Sequence, residues 1–363
     1  MQHHPRLPMP QAAALEGLRG MAALMVIASH ASGLGLDLIP GLSLTGIGKQ
    51  GVYLFFALSA FLLTWQWLAT WPAQASALWP RLGDYLIGRV ARIFPLYALV
   101  LLLAFTLGGS GLGVSVDHAG LWQHLLLLRG DGIYWSIPVE FHYYLVLPLL
   151  AALLHALRRP AVMLLLIGAL IGGAMLAWPA TQAPQNSDAI GYYLPVLLAG
   201  SAAAWVQTRW QASNLARYIS GARGFADALL LLLLLLLVLT IPALAITDGE
   251  RPPDFLHHAY LGWGVTWALT LLGLLNAGLP MWARLLGSRA LRQCGRWSFG
   301  LYLLHLPALY VVRLLPLPSL LAAWLGLALA MALAGLAYRL VERPALRACV
   351  PLRRALLLRS AGR

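Results

Sequence analysis

Arg19-Gly-Met-Ala-Ala-Leu-Met-Val-Ile-Ala-Ser-His30 is a run of ten uncharged, almost wholly apolar residues closed by a cation at one end and an imidazole at the other. Eleven residues of α-helix turn through three full turns plus about 20° and rise about 16 Å, so Arg19 and His30 share one helix face. The hydrocarbon core of a bilayer is about 30 Å thick, and an Arg at its surface would leave this His near the midplane. An ionisable group there costs at least about 2.5 kcal/mol unless it faces a cavity or a partner. The run therefore reads as a transmembrane helix with a functional site on it.

The rest of the chain agrees. Of its 363 residues 60% are hydrophobic and 10% charged, whereas a soluble domain carries roughly a quarter charged residues. The two cysteines, Cys294 and Cys349, form neither a disulfide framework nor a metal-ligand pattern. A net charge of +13 could point to nucleic acid. Its distribution argues otherwise, because the arginines fall in alternate short loops between apolar segments, as membrane topology requires.

Ten apolar stretches are long enough to span, near 20–36, 51–70, 94–112, 137–157, 161–178, 192–207, 226–246, 260–279, 298–315 and 320–341. The expected fold class is all-α, a polytopic membrane helix bundle of about ten transmembrane helices. Residues 1–19 form an N-terminal segment, 20–341 the transmembrane domain and 342–363 a basic tail. The stretch Leu121-Trp-Gln-His-Leu-Leu-Leu-Leu128 reads as an interfacial helix. One set of loops and the tail hold nearly all the arginines, while the other side has only Lys49, Arg129, Arg251 and Arg313. This partition predicts that both termini are cytoplasmic. A cleaved signal peptide is a poorer reading, since nine further spans follow and cleavage would part Arg19 from His30.

Several local patterns then occur in one order: Leu18-Arg19 through His30; Gly51-Val-Tyr-Leu-Phe-Phe-Ala-Leu-Ser-Ala-Phe61; Arg89-Val-Ala-Arg92-Ile-Phe-Pro95-Leu-Tyr97; Trp135-Ser-Ile-Pro-Val-Glu140-Phe-His-Tyr-Tyr144; Gly295-Arg-Trp-Ser298-Phe-Gly-Leu-Tyr302-Leu-Leu-His305; and Glu342-Arg-Pro344. In these the chain resembles the integral-membrane acyltransferase-3 family, whose members O-acylate surface polysaccharides, lipids and some metabolites. Tyr53 stands where that family often has an acidic residue, and Ala60 where it often has Gly. The resemblance is to the minimal form, without an appended hydrolase-like domain.

The resemblance implies an O-acyltransferase of the bacterial cytoplasmic membrane. It would use acyl-CoA, in particular acetyl-CoA, as co-substrate, with no permanently bound cofactor and no metal. The acceptor would be a hydroxyl-bearing glycan, lipid or small molecule reached from the outer side, with membrane lipids as the other partner and no nucleic acid. The polyanionic donor needs arginines at the inner face, and Arg19, Arg89 and Arg92 are placed to meet it, with Arg296 nearby. Positive-inside topology alone would also supply Arg89, Arg92 and Arg296. His30 is the expected catalyst, as general base or as acyl carrier. A packing histidine bonded to a neighbouring helix is its bland counterpart.

His305 falls at a similar depth and could orient His30, bind the thioester carbonyl, or bond a backbone carbonyl. Glu140 reads as the one carboxylate well inside a span, about 8 Å below the outer interface. It is expected to form the acceptor site with Tyr53, Trp135, Ser136 and Tyr144, or else a structural ion pair. A transporter or flippase of a glycan or lipid intermediate is the alternative function, favoured by discontinuous helices and inverted repeats. No internal repeat is visible.

Overall fold

Pro or Gly marks some helix ends, with Gly46 before the helix Ile47–Ala69, Pro160 opening Pro160–Ala177 and Pro318 before Ser319–Ala337. Pro95, Pro148 and Pro307 lie inside helices. The computed structural model describes residues 9–107, 116–210, 257–276 and 280–361. The helices are α1 (Met9–Gly33), α2 (Ile47–Ala69), α3 (Leu78–Thr106), α4 (His118–Leu125), α5 (Ser136–Ala156), α6 (Pro160–Ala177) and α7 (Leu194–Trp210). They continue with α8 (Tyr260–Asn276), α9 (Pro280–Leu286), α10 (Arg289–Arg296), α11 (Ser298–Arg313), α12 (Ser319–Ala337), α13 (Arg343–Ala348) and α14 (Val350–Ala361). Asp117 caps α4 by accepting from the Gly120 N–H, and Ser288 caps α10 by accepting from that of Leu291. The described residues contain no β-strand, only an isolated bridge between Ile39 and Leu42.

Six helical runs are long and apolar enough to cross a membrane: Gln11–Gly33, Ile47–Ala69, Ala75–Thr106, Gly132–Ala156, Pro160–Gln182 and Ser319–Leu358. That is fewer than the ten expected from hydropathy. Three further expected spans fold as the shorter helices α7, α8 and α11, of 17, 17 and 16 residues. The expected span at 226–246 lies outside the described residues. The expected interfacial helix is α4, which ends at Leu125 rather than Leu128.

α1 starts at Met9 instead of residue 20. Its first turns lie directly on α9 and α10, an approach that only glycine permits. A Cβ on Gly17 would sit 1.7 Å from the Leu286 carbonyl oxygen, and one on Gly295 would sit 1.8 Å from that of Glu16. Bilayer hydrocarbon offers no hydrophobic drive between helices, so such close backbone contact supplies the packing. α1 also packs on α2, α2 on α7, α7 on α8 and α11 on α12.

Side chains tie the helix ends together. At the arginine-rich end, Arg81 donates to the Gln66 carbonyl, Arg209 to that of Leu157 and Arg292 to Glu16. At the opposite end, Ser29 accepts from the Gly46 N–H, Ser319 donates to the Gly35 carbonyl and Asp188 accepts from the Gly130 N–H.

Candidate active site

A cavity of about 700 Å³ opens among α1, α2, α3, α5, α10 and α11. Along α2 its lining runs from Gln66 to Val52, fourteen residues, or about 21 Å of helix. Arg19, Arg89 and Arg92 all line it, joined by Arg292, Arg296 and Arg353. They arrive on several helices. Arg19 comes from α1, Arg89 and Arg92 from successive turns of α3, and Arg292 and Arg296 from α10.

The arginines differ in how far they are neutralised. Arg92 donates to Glu342 at 2.6 Å, and Arg292 and Arg296 share Glu16 at 3.0 and 3.6 Å. Arg19 and Arg89 have no ion pair among the described residues. The Arg89 guanidinium lies 5.7 Å from the Tyr144 ring centre, a cation–π arrangement. Two guanidinium groups without an ion pair, in a cavity lined by four more arginines, make an arrangement whose charge suits a polyanion.

Glu140 lies in this same cavity and not in a separate outer pocket with Tyr53 and Trp135. The reason is helical phase. Trp135 ends the 3-10 turn (Gly132–Trp135) that leads into α5, and five helical positions on, a rotation of about 140°, Glu140 leaves on a different face. Glu140 accepts a short hydrogen bond from Tyr144, one turn on. The neighbouring Tyr143 turns away, its hydroxyl bonded to Ser201 and to the Leu197 carbonyl.

Tyr53 is fully buried and donates to the His257 carbonyl at 2.6 Å. Trp135 is buried against Phe56 and Tyr193, with the Lys49 ammonium 5.2 Å from its ring centre. Neither lines the cavity. Ser136 does, donating to the Tyr302 hydroxyl at 2.8 Å, and Tyr302 in turn donates to the Ile133 carbonyl.

Tyr302 lines the cavity, and one helical turn beyond it on α11 stands His305. His305 is fully buried, with Nδ1 2.8 Å from the Tyr302 carbonyl oxygen and 3.1 Å from that of Leu301. Its Nε2 is 2.7 Å from Nδ1 of His30 on α1, the ring planes within 16°. A carbonyl can only accept, so His305 Nδ1 carries the proton and Nε2 of the neutral ring is bare. That bare nitrogen accepts from Nδ1–H of His30. The lone pair of His30 is thereby fixed on Nε2. Two of the three roles open to His305, orienting His30 and bonding a backbone carbonyl, are therefore filled at once.

Several residues here escaped the sequence reading. Glu342 is a buried carboxylate, 1% exposed, carried on a π-helical turn (Tyr338–Glu342) that follows α12. Its signal was the Glu342-Arg-Pro motif, but a pairing with Arg92 across 250 residues is invisible in a linear pattern. Arg292, Arg353 and Tyr302 likewise belong to the site only through tertiary packing. Among the described residues no three His, Cys, Asp or Glu side chains gather as a metal-binding group.

The chain is similar to known acyltransferases. It is 28% identical over 324 residues to Acyltransferase MdmB of Streptomyces mycarofaciens, covering 80% of this chain and 77% of that protein. It is 23% identical over 363 aligned positions to Peptidoglycan O-acetyltransferase OatA of Listeria monocytogenes, covering 91% of this chain. The chain spans only 55% of the length of that Listeria protein. No solved structure matches. The acyltransferase domain that defines the acyltransferase-3 family matches residues 12–339, nearly the whole chain. A helical membrane protein whose sequence carries that domain, the chain belongs to the acyltransferase-3 family and is an acyltransferase.

Proposed function

We propose that the protein takes an acyl group, in particular acetyl, from cytoplasmic acyl-CoA and transfers it to a hydroxyl of a glycan, lipid or small-molecule acceptor that enters from the other side. The observation that carries this reading is the cavity itself. It gathers Arg19, Arg89 and Arg92 and reaches Tyr302, one turn from the His30–His305 pair. A donor that is polyanionic at one end and has a slim acylated arm at the other matches that polarity. The relatives support the acceptor class, since the Listeria protein is a peptidoglycan O-acetyltransferase.

In this reading ten helices span the bacterial cytoplasmic membrane, with the arginine-rich end and both termini inside. The donor's phosphates rest on the arginines, while its thioester reaches past Tyr302. The His30 Nε2 lone pair takes the proton of the acceptor hydroxyl as its oxygen attacks the thioester carbonyl. The C–S bond then breaks, and the CoA thiolate leaves toward the arginine-rich end and is protonated. General-base help of this kind is worth roughly 10²–10⁴ in rate. His305 stabilises the imidazolium by accepting its Nδ1 proton in a hydrogen bond. Glu140 and Tyr144 hold the donor arm or acceptor by hydrogen bonding within the cavity.

The test is acetyl-CoA binding and slow CoA release by detergent-purified protein. Saturable binding weakened in Arg19→Ala, with release lost in His30→Ala, supports the reading. A folded wild-type protein that binds no acyl-CoA overturns it in favour of a different acyl donor.

A further inference from the structure

α14 is bound to the bundle by a seam on α3. Two glycines of α3 make that seam. A Cβ on Gly83 would meet Leu356 at 3.2 Å, and a Cβ on Gly88 would meet the Arg353 guanidinium carbon at 3.3 Å. Asp84, between them, accepts from Arg353 Nε at 2.7 Å and from Nη2 at 3.2 Å. Arg353 and Gly88 both line the cavity, whereas Asp84 does not. The carboxylate therefore grips the guanidinium from behind, and the missing side chain at Gly88 leaves its other face open to the cavity. Of the five N–H donors of an arginine, Asp84 takes two, and the Cys349 thiol is a further neighbour, so the fork is not used up.

Position along α3 says what those donors would meet. Arg353 lies beside Gly88, one helical turn closer to the arginine-rich end than Arg92. Arg92 and Arg19 form the deeper group, while Arg89, the residue after Gly88, stands level with Arg353. The donor enters with its thioester inward, so its nucleotide end comes to rest at the outer group. Arg353 also lies beyond residues 12–339, the part of the chain matched by the acyltransferase domain. It is carried on the C-terminal helix α14.

We infer that Arg353, held by Asp84 and exposed by Gly88, binds the ribose phosphate at the nucleotide end of the acyl-CoA donor, while the deeper arginines hold its diphosphate. This rests on the acyl-CoA reading above and adds a specificity. The protein distinguishes CoA thioesters from thioesters that lack that one phosphate.

The experiment compares acetyl-CoA with acetyl-dephospho-CoA, which lacks only the ribose phosphate, on the full-length protein in detergent. Hydrogen bonds to charged groups are worth enough to give the wild type about tenfold or greater preference in KM for acetyl-CoA. In Arg353→Ala the two donors should become equal, with acetyl-CoA falling to the level of its dephospho analogue. Arg353→Lys should keep part of the preference, and Asp84→Asn should reduce it, because the guanidinium loses its anchor. The ratio is taken within each variant, so a loss of folded protein does not mimic the result. A wild-type ratio near one, or a ratio that survives in Arg353→Ala, overturns the assignment while leaving the donor reading intact. A folded wild type that uses neither thioester overturns the donor reading and this assignment together.

Discussion

Nδ1 of His30 and Nε2 of His305 are 2.7 Å apart, joining two helices whose residues lie 275 positions apart in the chain. Because the far nitrogen of His305 is committed to backbone carbonyls, the pair has one neutral hydrogen-bond pattern, and in it His30 presents a basic Nε2. In the proposed mechanism the nitrogen that acts as base is thus chosen by a second histidine that is itself fully buried.

His305 is accordingly a positioning residue, and its removal should act through His30. His305→Ala should lower the rate of CoA release by about one to two orders of magnitude, less than the roughly 10²–10⁴ expected for His30→Ala. His305→Gln can donate to the Tyr302 carbonyl through its amide N–H and accept from His30 through its amide oxygen. It should recover much of the lost rate. Equal loss in the Ala and Gln variants, both folded, would show that His305 does not act by fixing the tautomer.

Arg19 has no carboxylate partner among the described residues, so its removal leaves no orphaned charge. Arg19→Ala should raise KM for acyl-CoA by about ten- to a hundredfold, the range expected when a hydrogen bond to a charged group is lost. The folded yield should change little. Donor titrations of wild type and variant, with size-exclusion profiles alongside, check both halves of this statement.

Gly295 touches backbone, not a movable side chain. Its added Cβ would lie 1.8 Å from the Glu16 carbonyl oxygen, so Gly295→Ala must force α1 and α10 apart. Overpacking of this kind costs about 3 kcal/mol or more. Thermal unfolding in detergent should show a large drop in Tm, or no monodisperse protein. Gly273→Ala, where nothing lies within 4 Å of the new Cβ, is the control and should melt like the wild type.

His124 on α4 is buried, with Nδ1 3.3 Å from the Tyr97 hydroxyl and Nε2 3.3 Å from Asp131. Burial pushes its pKa below the ordinary 6.5, and the Asp131 carboxylate offsets only part of this. A depressed folded-state pKa gives stability that is complete above 6.5 and is lost as the pH falls toward and through the folded value. The Tm gap between wild type and His124→Asn should therefore narrow on acidification from about pH 7.5 to 5. A gap that widens at low pH would mean that the Asp131 contact dominates.

What a helix does alone was readable from its residues. Apolar run length and charge partition identified a helical membrane protein, because lipid requires every backbone polar group to be satisfied within the segment. The eleven-residue step from Arg19 to His30 placed both on one face, because helical periodicity is local. The ordered motifs pointed to the family to which the chain belongs.

What lies between helices was decided only by the tertiary structure. Hydropathy cannot rotate one helix against another, so Glu140 was assigned to the face of Trp135 when packing turns it toward Arg19 and Arg89. The His30–His305 bond, the Arg92–Glu342 pair set up by a π turn, and the Arg353–Asp84 grip join residues more than 245 positions apart. Their register depends on where glycines let backbones touch. That is a property of two surfaces meeting, and no single stretch of sequence contains it.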